Sequence, residues 1–163
     1  MRLTKSKISE IINSIKGEKG KKIEADFREK LTKAFRKYYK SCYTKEELKI
    51  LNDFEHLFVK TSYFNFGYNG NYIGYFRVKD VVPTPPNFER VNDLECAKII
   101  KKYRADMKYL KDDMEKLRQF LSQFTTVKKL LKEAPEFEKF FDLNQEQKSL
   151  AIRYEDIKEL IDG

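Results

Sequence analysis

Lys33, Arg36, Lys37 and Lys40 follow one another at steps of 3, 1 and 3. On a helix at 100° per residue they share one side, opposite the apolar stripe Ile23, Phe27, Leu31, Phe35 and Tyr38. Few acids break the run. A face of this kind either neutralises a polyanion such as a nucleic-acid backbone or a nucleotide phosphate, or is simply the solvated side of an amphipathic helix. A second group, Tyr63, Asn65, Tyr72 and Tyr75, offers phenol rings and an amide that suit a flat aromatic or base-like ligand. Packing of the same rings into a core is the competing reading.

The residues of bond-making chemistry are sparse. His56 is the single histidine, with Asp53 and Glu55 near it, and no nucleophile or second ligand accompanies it in the sequence. Cys42 and Cys96 are too isolated for a disulfide framework or a zinc site, so each is expected as a buried reduced thiol. The segment Gly17-Glu18-Lys19-Gly20-Lys21-Lys22 lacks the Gly-x-x-x-x-Gly-Lys-Ser/Thr order of a triphosphate cradle and reads as a solvated loop. No Gly-x-Ser-x-Gly elbow, His-Glu-x-x-His helix or dinucleotide fingerprint occurs, and the acids Asp112 and Asp113 belong to a helix surface. The expectation is a binding protein, not an enzyme, with no metal and no cofactor.

The elements that must position these residues read as α+β, predominantly α-helical. Amphipathic helices are expected over 4–16, where Ile8, Ile11, Ile12 and Ile15 form a stripe ended by Gly17, and over 22–41. Thr44-Lys45-Glu46-Glu47 is a capping box that starts a third helix running to about His56. From 58 to 82 the chain turns β. Asn69-Gly70, between two aromatic runs, predicts a type I′ hairpin with Phe66 opposite Ile73 and Phe64 opposite Tyr75. That register places Phe64, Phe66, Ile73 and Tyr75 on one face and Tyr63, Asn65, Tyr72, Gly74 and Phe76 on the other. Val82-Pro83-Thr84-Pro85-Pro86 follows as a stiff extended connector.

One long helix is expected over 92–124, because Cys96, Ile100, Tyr103, Met107, Leu110, Met114, Leu117, Leu121 and Phe124 alternate steps of 4 and 3. With Ile100 at heptad position a, two parallel copies would set Asp106 against Lys111 and Asp113 against Arg118. The seam from Ile100 to Leu121 is therefore either a parallel homodimer interface or ordinary core. Thr125 or Thr126 caps a short helix, Pro135 restarts one with Phe137, Phe140 and Phe141, and a final helical pattern spans 154–161. The expected organisation is a single domain over 1–163, made of a basic helical segment 1–56, a hairpin 57–82, a connector 83–91, the long helix 92–124 and C-terminal short helices 125–163.

The totals agree with a soluble globular chain: 40% of residues are hydrophobic and 37% charged. Residues 1–50 hold 15 Lys and Arg against 7 Asp and Glu, and the remainder is balanced at 19 each, so the whole net charge of +8 is N-terminal. No apolar run reaches membrane-spanning length and no apolar stretch follows Met-Arg-Leu-Thr-Lys, which predicts a cytoplasmic protein.

Three stretches resemble the bacteriophage proteins of the nucleotide modification associated domain 5 family. They are the opening Met-Arg-Leu-Thr-Lys with its amphipathic helix, the aromatic, Gly-rich middle before a long charged helix, and Thr125-Thr126-Val127-Lys128-Lys129-Leu130-Leu131-Lys132-Glu133-Ala134-Pro135-Glu136-Phe137-Glu138-Lys139-Phe140-Phe141. The resemblance implies a phage gene linked to nucleotide or DNA modification, acting in the host cytoplasm, and it transfers no catalytic residue. With it, the leading expectation is a non-enzymatic accessory protein that binds nucleic acid, a nucleotide or a nucleic-acid-binding host complex and counters host defence. An auxiliary factor in DNA or nucleotide modification and a coiled-coil adaptor are the alternatives.

Overall fold

A computed structural model describes residues 1–85, 88 and 90–141. The protein is α+β and mostly helical, as its periodicities predict. Its elements are α1 (Lys5–Ser41), α2 (Lys45–Asp53), a 3-10 turn (Glu55–Leu57), β1 (Val59–Tyr68), β2 (Asn71–Thr84), β3 (Val91–Asn92), α3 (Leu94–Leu121), α4 (Val127–Glu133) and a 3-10 helix (Pro135–Phe140). Two compact units can be described. One joins Met1–Lys16 to the chain from Asp113 onward, and the other is Gly17–Asp112. The helical pattern expected over 154–161 and the connector's Pro86 lie outside the described residues.

The first correction is that α1 is a single helix of 37 residues, without the loop expected at 17–22. Gly17 and Gly20 keep negative φ, since Gly70 is the glycine with positive φ among the described residues. A helical glycine costs only about 1 kcal/mol against alanine, and the lysines and glutamates around it favour the helix. Gly20 also faces α3, where a Cβ would lie 3.8 Å from the Leu110 side chain.

In the Gly17–Asp112 unit the core gathers Phe27, Leu31, Phe35 and Tyr39 of α1, Leu51 of α2, Phe64, Phe66 and Val78 of the sheet, Val91 of β3, and Cys96 and Ile100 of α3. Aromatic contacts join these layers: Phe35 lies 4.4 Å from Phe64, and Phe27 stacks on Tyr103 at 4.1 Å, ring centre to ring centre. The capping box at Thr44 forms as expected, with Glu47 N–H donating to Thr44 Oγ1 at 3.2 Å and Thr44 N–H donating to Glu47 Oε2 at 2.7 Å. Asp93 caps α3 by accepting from the Cys96 amide at 2.8 Å.

The sheet has the order β2-β1-β3, with β1–β2 antiparallel and β1–β3 parallel. The hairpin turn is as expected, with φ of 48° at Asn69 and 78° at Gly70. Its register is not. Tyr68 pairs with Asn71 and Gly67 with Tyr72, but Phe66 then pairs with Gly74 and Phe64 with Phe76, so Ile73 is an extra residue in β2. A one-residue slip exchanges the faces of a strand. Phe76 therefore turns to the core beside Phe66, and Tyr75 turns outward, paired with Asn65. A larger irregularity lies between the pairs Thr61–Val82 and Tyr63–Arg77, where residues 78–81 of β2 bow away from β1. Pro83, expected in a connector, still belongs to β2 opposite Lys60, and β3 was not foreseen.

In the other unit the extreme N-terminus pairs with the chain before α4: Leu3 N–H donates to Thr125 O and Val127 N–H to Met1 O, each at 3.1 Å. Thr126 caps α4 through the Lys129 amide, and Pro135 opens the 3-10 helix as expected. Leu3, Ile8, Ile11, Ile12, Met114, Leu121, Val127, Leu130, Ala134, Phe137 and Phe141 are its buried apolar residues among those described.

Candidate functional site

The cations Lys33, Arg36, Lys37 and Lys40 are all exposed on α1, while Leu31, Ala34, Phe35 and Tyr39 of the same turns are buried. They line one open cleft of about 820 Å³ together with Glu29, Thr32 and Lys79. Lys79 is the residue that sequence reasoning missed. It reaches the cleft because the bow in β2 takes its amide off the ladder with β1, and that N–H donates instead to the buried Thr32 Oγ1 at 2.9 Å. One hydrogen bond thus ties β2 to α1 and places a fifth cation opposite the four. No sequence pattern marks it, since Arg77-Val78-Lys79 reads as ordinary strand alternation.

The charge along α1 is uneven. Arg28 pairs with Glu24 and Lys30 with Asp26, both one turn apart. Beyond Glu29 the next acid in the sequence is Glu46, so acids are sparse along the stretch of α1 that carries the cleft's cations. Lys37 approaches Glu95 at 3.4 Å, with side chains 81% and 56% exposed, a geometry that water screens to little net energy. The result is a concentration of positive charge at a concave surface, the arrangement that holds phosphate oxygens.

Behind the cleft, the end of α1 is braced by aromatic contacts: Phe88 lies 5.9 Å from Tyr39 and 6.4 Å from Tyr43. Tyr39 donates its hydroxyl to Pro83 O at 2.5 Å. Burial, with smaller contributions from Tyr43 and Cys42, pushes its phenol up to about 12. Burial and the nearby Asp93 likewise raise the Cys96 thiol, so it is held protonated and unreactive. Cys42, expected buried, is exposed at the end of α1. His56 sits in the 3-10 turn against Phe54, and Glu55 beside it pairs with Lys60 at 3.0 Å. Among the described residues no cluster of His, Cys, Asp and Glu could hold a metal ion, and no described helix is long and apolar enough to cross a membrane.

Over the sequence as a whole, one family profile decides the relationship: nucleotide modification associated domain 5 matches residues 2–162. The chain belongs to that family. No curated protein and no solved structure matches it significantly. In this nucleotide modification associated domain 5 chain, the tyrosine group stands on the outer face of the hairpin, with Tyr63 45%, Tyr72 59% and Tyr75 58% exposed and Asn65 exposed beside them. The corrected register is what brings Tyr75 there. Tyr63 and Tyr75 stack on each other at 5.4 Å, and the Arg77 guanidinium lies 5.8 Å over Tyr63, so these rings already occupy part of the face they offer. Arg90 lies 5.9 Å over Tyr72.

The long-helix seam packs within the protein. Ile100 is fully buried, Leu110 is buried, and Tyr103 and Met107 are half-buried in one unit. Met114 and Leu121 are buried and Leu117 half-buried in the other. Asp113 and Arg118, which would cross a parallel dimer, approach Lys116 at 3.8 Å and Glu115 at 3.7 Å along their own helix.

Proposed function

We propose that this family member is a non-enzymatic accessory protein of nucleotide modification, phage-borne, that grips the phosphate backbone of a nucleic acid in the cleft between α1 and the bowed segment of β2. The observation that carries the reading is the convergence of Lys33, Arg36, Lys37, Lys40 and Lys79 on one concave surface. The four helical cations alone fit a wet helix face. A fifth cation from a separate element, held at the same cleft by a hydrogen bond between β2 and α1, favours a ligand site. The cleft holds one acid, Glu29, and its cationic head groups suit phosphates, so it would bind without reading sequence.

Fluorescence anisotropy with a short labelled DNA duplex, over a series of salt concentrations, tests this. Each neutralised phosphate contributes a slope of about −0.9 in log affinity against log salt, hence about −4.5 if all five cations engage. Replacing Lys33, Lys37 and Lys40 together by glutamine is expected to flatten the slope by about 2.7 units and to weaken binding on every sequence alike. Unchanged affinity and slope in the triple variant would overturn the assignment. Copurification of a host protein complex that the same triple variant releases would favour the counter-defence role in its place.

A further inference from the structure

A second cleft, of about 540 Å³, opens in the same unit between the hairpin end and the first turns of α3. Its chemistry differs from that of the first. One wall is apolar and aromatic, built from Tyr68, Ile73 and Leu94, and the other carries Lys98, Lys101 and Arg104 at successive steps of three along α3. We propose that this cleft is a mononucleotide site, taking a nucleoside monophosphate with its base against Tyr68, Ile73 and Leu94 and its phosphate on the three cations.

Four observations point this way. The volume lies within the roughly 300–1,000 Å³ typical of small-molecule sites, and the lining combines an apolar body with a few convergent polar groups. Lys98 and Lys101 make no ion pair among the described residues, although α3 offers Glu95 close by, which turns to Lys37 instead. Arg104 is held in place: its Nη2 donates to Ile73 O, the carbonyl of the extra residue in β2. That guanidinium lies over Gly74, where a Cβ would meet it at 3.3 Å, so a glycine is what lets the arginine reach the strand. One of its five N–H donors is used to fix it, which leaves donors for a ligand on a side chain already oriented. Finally, Leu94 is 44% exposed at the rim, apolar surface that a base would cover, and Asn71 adds an amide able to meet a base edge. The positive end of the 28-residue helix α3 lies at the same rim and adds to the attraction for phosphate.

The site is independent of the phosphate-backbone cleft, and the experiment separates the two. Isothermal titration calorimetry on the full chain, with each of the four 2′-deoxynucleoside 5′-monophosphates, is expected to give binding for at least one. Inorganic phosphate and the matching deoxynucleoside should each bind at least tenfold more weakly. Lys98→Gln with Lys101→Gln should lower the affinity at least tenfold, and Leu94→Glu, at an exposed position, should do the same. The triple variant of Lys33, Lys37 and Lys40 should stay within twofold of the parent. Circular dichroism checks that each variant folds. Absence of binding by all four nucleotides at millimolar concentration would overturn the proposal. So would inorganic phosphate binding as tightly as the nucleotides, or nucleotide binding that the Lys33, Lys37 and Lys40 changes abolish and the Lys98 and Lys101 changes spare.

Discussion

Thr32 is buried in the middle of α1, and its hydroxyl oxygen accepts the Lys79 amide. Thr32→Val keeps the shape and removes that acceptor. It is expected to cost about 1 kcal/mol, the net worth of the part-buried hydrogen bond it removes, and to loosen the bowed segment of β2. Urea unfolding measures the first effect, and a weaker, less salt-dependent DNA complex reports the second. Two glycines make a paired test. At Gly67 a Cβ would lie 2.8 Å from the Asn71 carbonyl oxygen and 2.9 Å from Arg90 Cδ, so Gly67→Ala forces backbone apart and should destabilise by about 1–3 kcal/mol. At Gly17 a Cβ meets nothing within 4 Å inside a helix, so Gly17→Ala should stabilise by about 0.5–1 kcal/mol. If alanine at Gly17 instead lowered the melting temperature, the continuous α1 would be wrong there. Tyr39 adds a pH dependence. Its folded pKa is raised to about 12, against about 10 for an unfolded phenol, so its proton is held more tightly in the fold. The stability it carries is complete below about pH 10 and is lost as pH rises towards 12. Comparing urea midpoints on either side of pH 10 should show a smaller alkaline loss in Tyr39→Phe than in the parent.

At the scale of elements, caps were legible because they are local. Thr44 and Glu47 are three residues apart, and their reciprocal bonds need nothing from the rest of the chain. Thr44→Ala is expected to cost about 1 kcal/mol, read from the urea midpoint. The Asn69-Gly70 turn was legible for the same reason, since both residues tolerate positive φ. The register beyond the turn was not. An extra residue at Ile73 is decided by which rings fill the core: Phe76 meets Phe27 at 5.5 Å and Phe66 at 6.1 Å, and Tyr75 is left to stack on Tyr63. Strict alternation from the turn would have buried a phenol and exposed that phenylalanine, and the bulge avoids both.

For the whole molecule, the N-terminal charge excess becomes a site only because separate elements meet. Lys79 lies more than thirty residues from the helical cations, and only tertiary contact sets it among them. The balanced charge of residues 51–163 likewise conceals a local concentration, with Lys98, Lys101 and Arg104 on one side of α3. Both clefts should lose affinity for anions as ionic strength rises, but to different degrees. The open cleft on α1, lined by charged and hydroxyl side chains, should be the more salt-sensitive, and the nucleotide cleft, with its apolar wall, the less. Parallel titrations of duplex DNA and of a mononucleotide at low and high salt measure the contrast, and equal sensitivity would count against two distinct modes of binding.

Periodicity, caps, turn residues and the placement of charge along one helix were determined by the sequence itself, because each depends on residues within a few positions of one another. The basic face Lys33, Arg36, Lys37 and Lys40, the α3 stripe and a threonine cap at Thr125 or Thr126 follow from spacing alone, and the structure chooses Thr126. Tertiary structure decided the rest. It carried α1 through Gly17 and Gly20, where helix-forming neighbours and Leu110 outweigh the local preference of glycine to end a helix. It paired β3 with β1, bowed β2 so that Lys79 joined the cleft, and packed the Ile100 to Leu121 seam within the protein. In each case the deciding energy is burial or hydrogen bonding between residues distant in sequence, which no local pattern encodes.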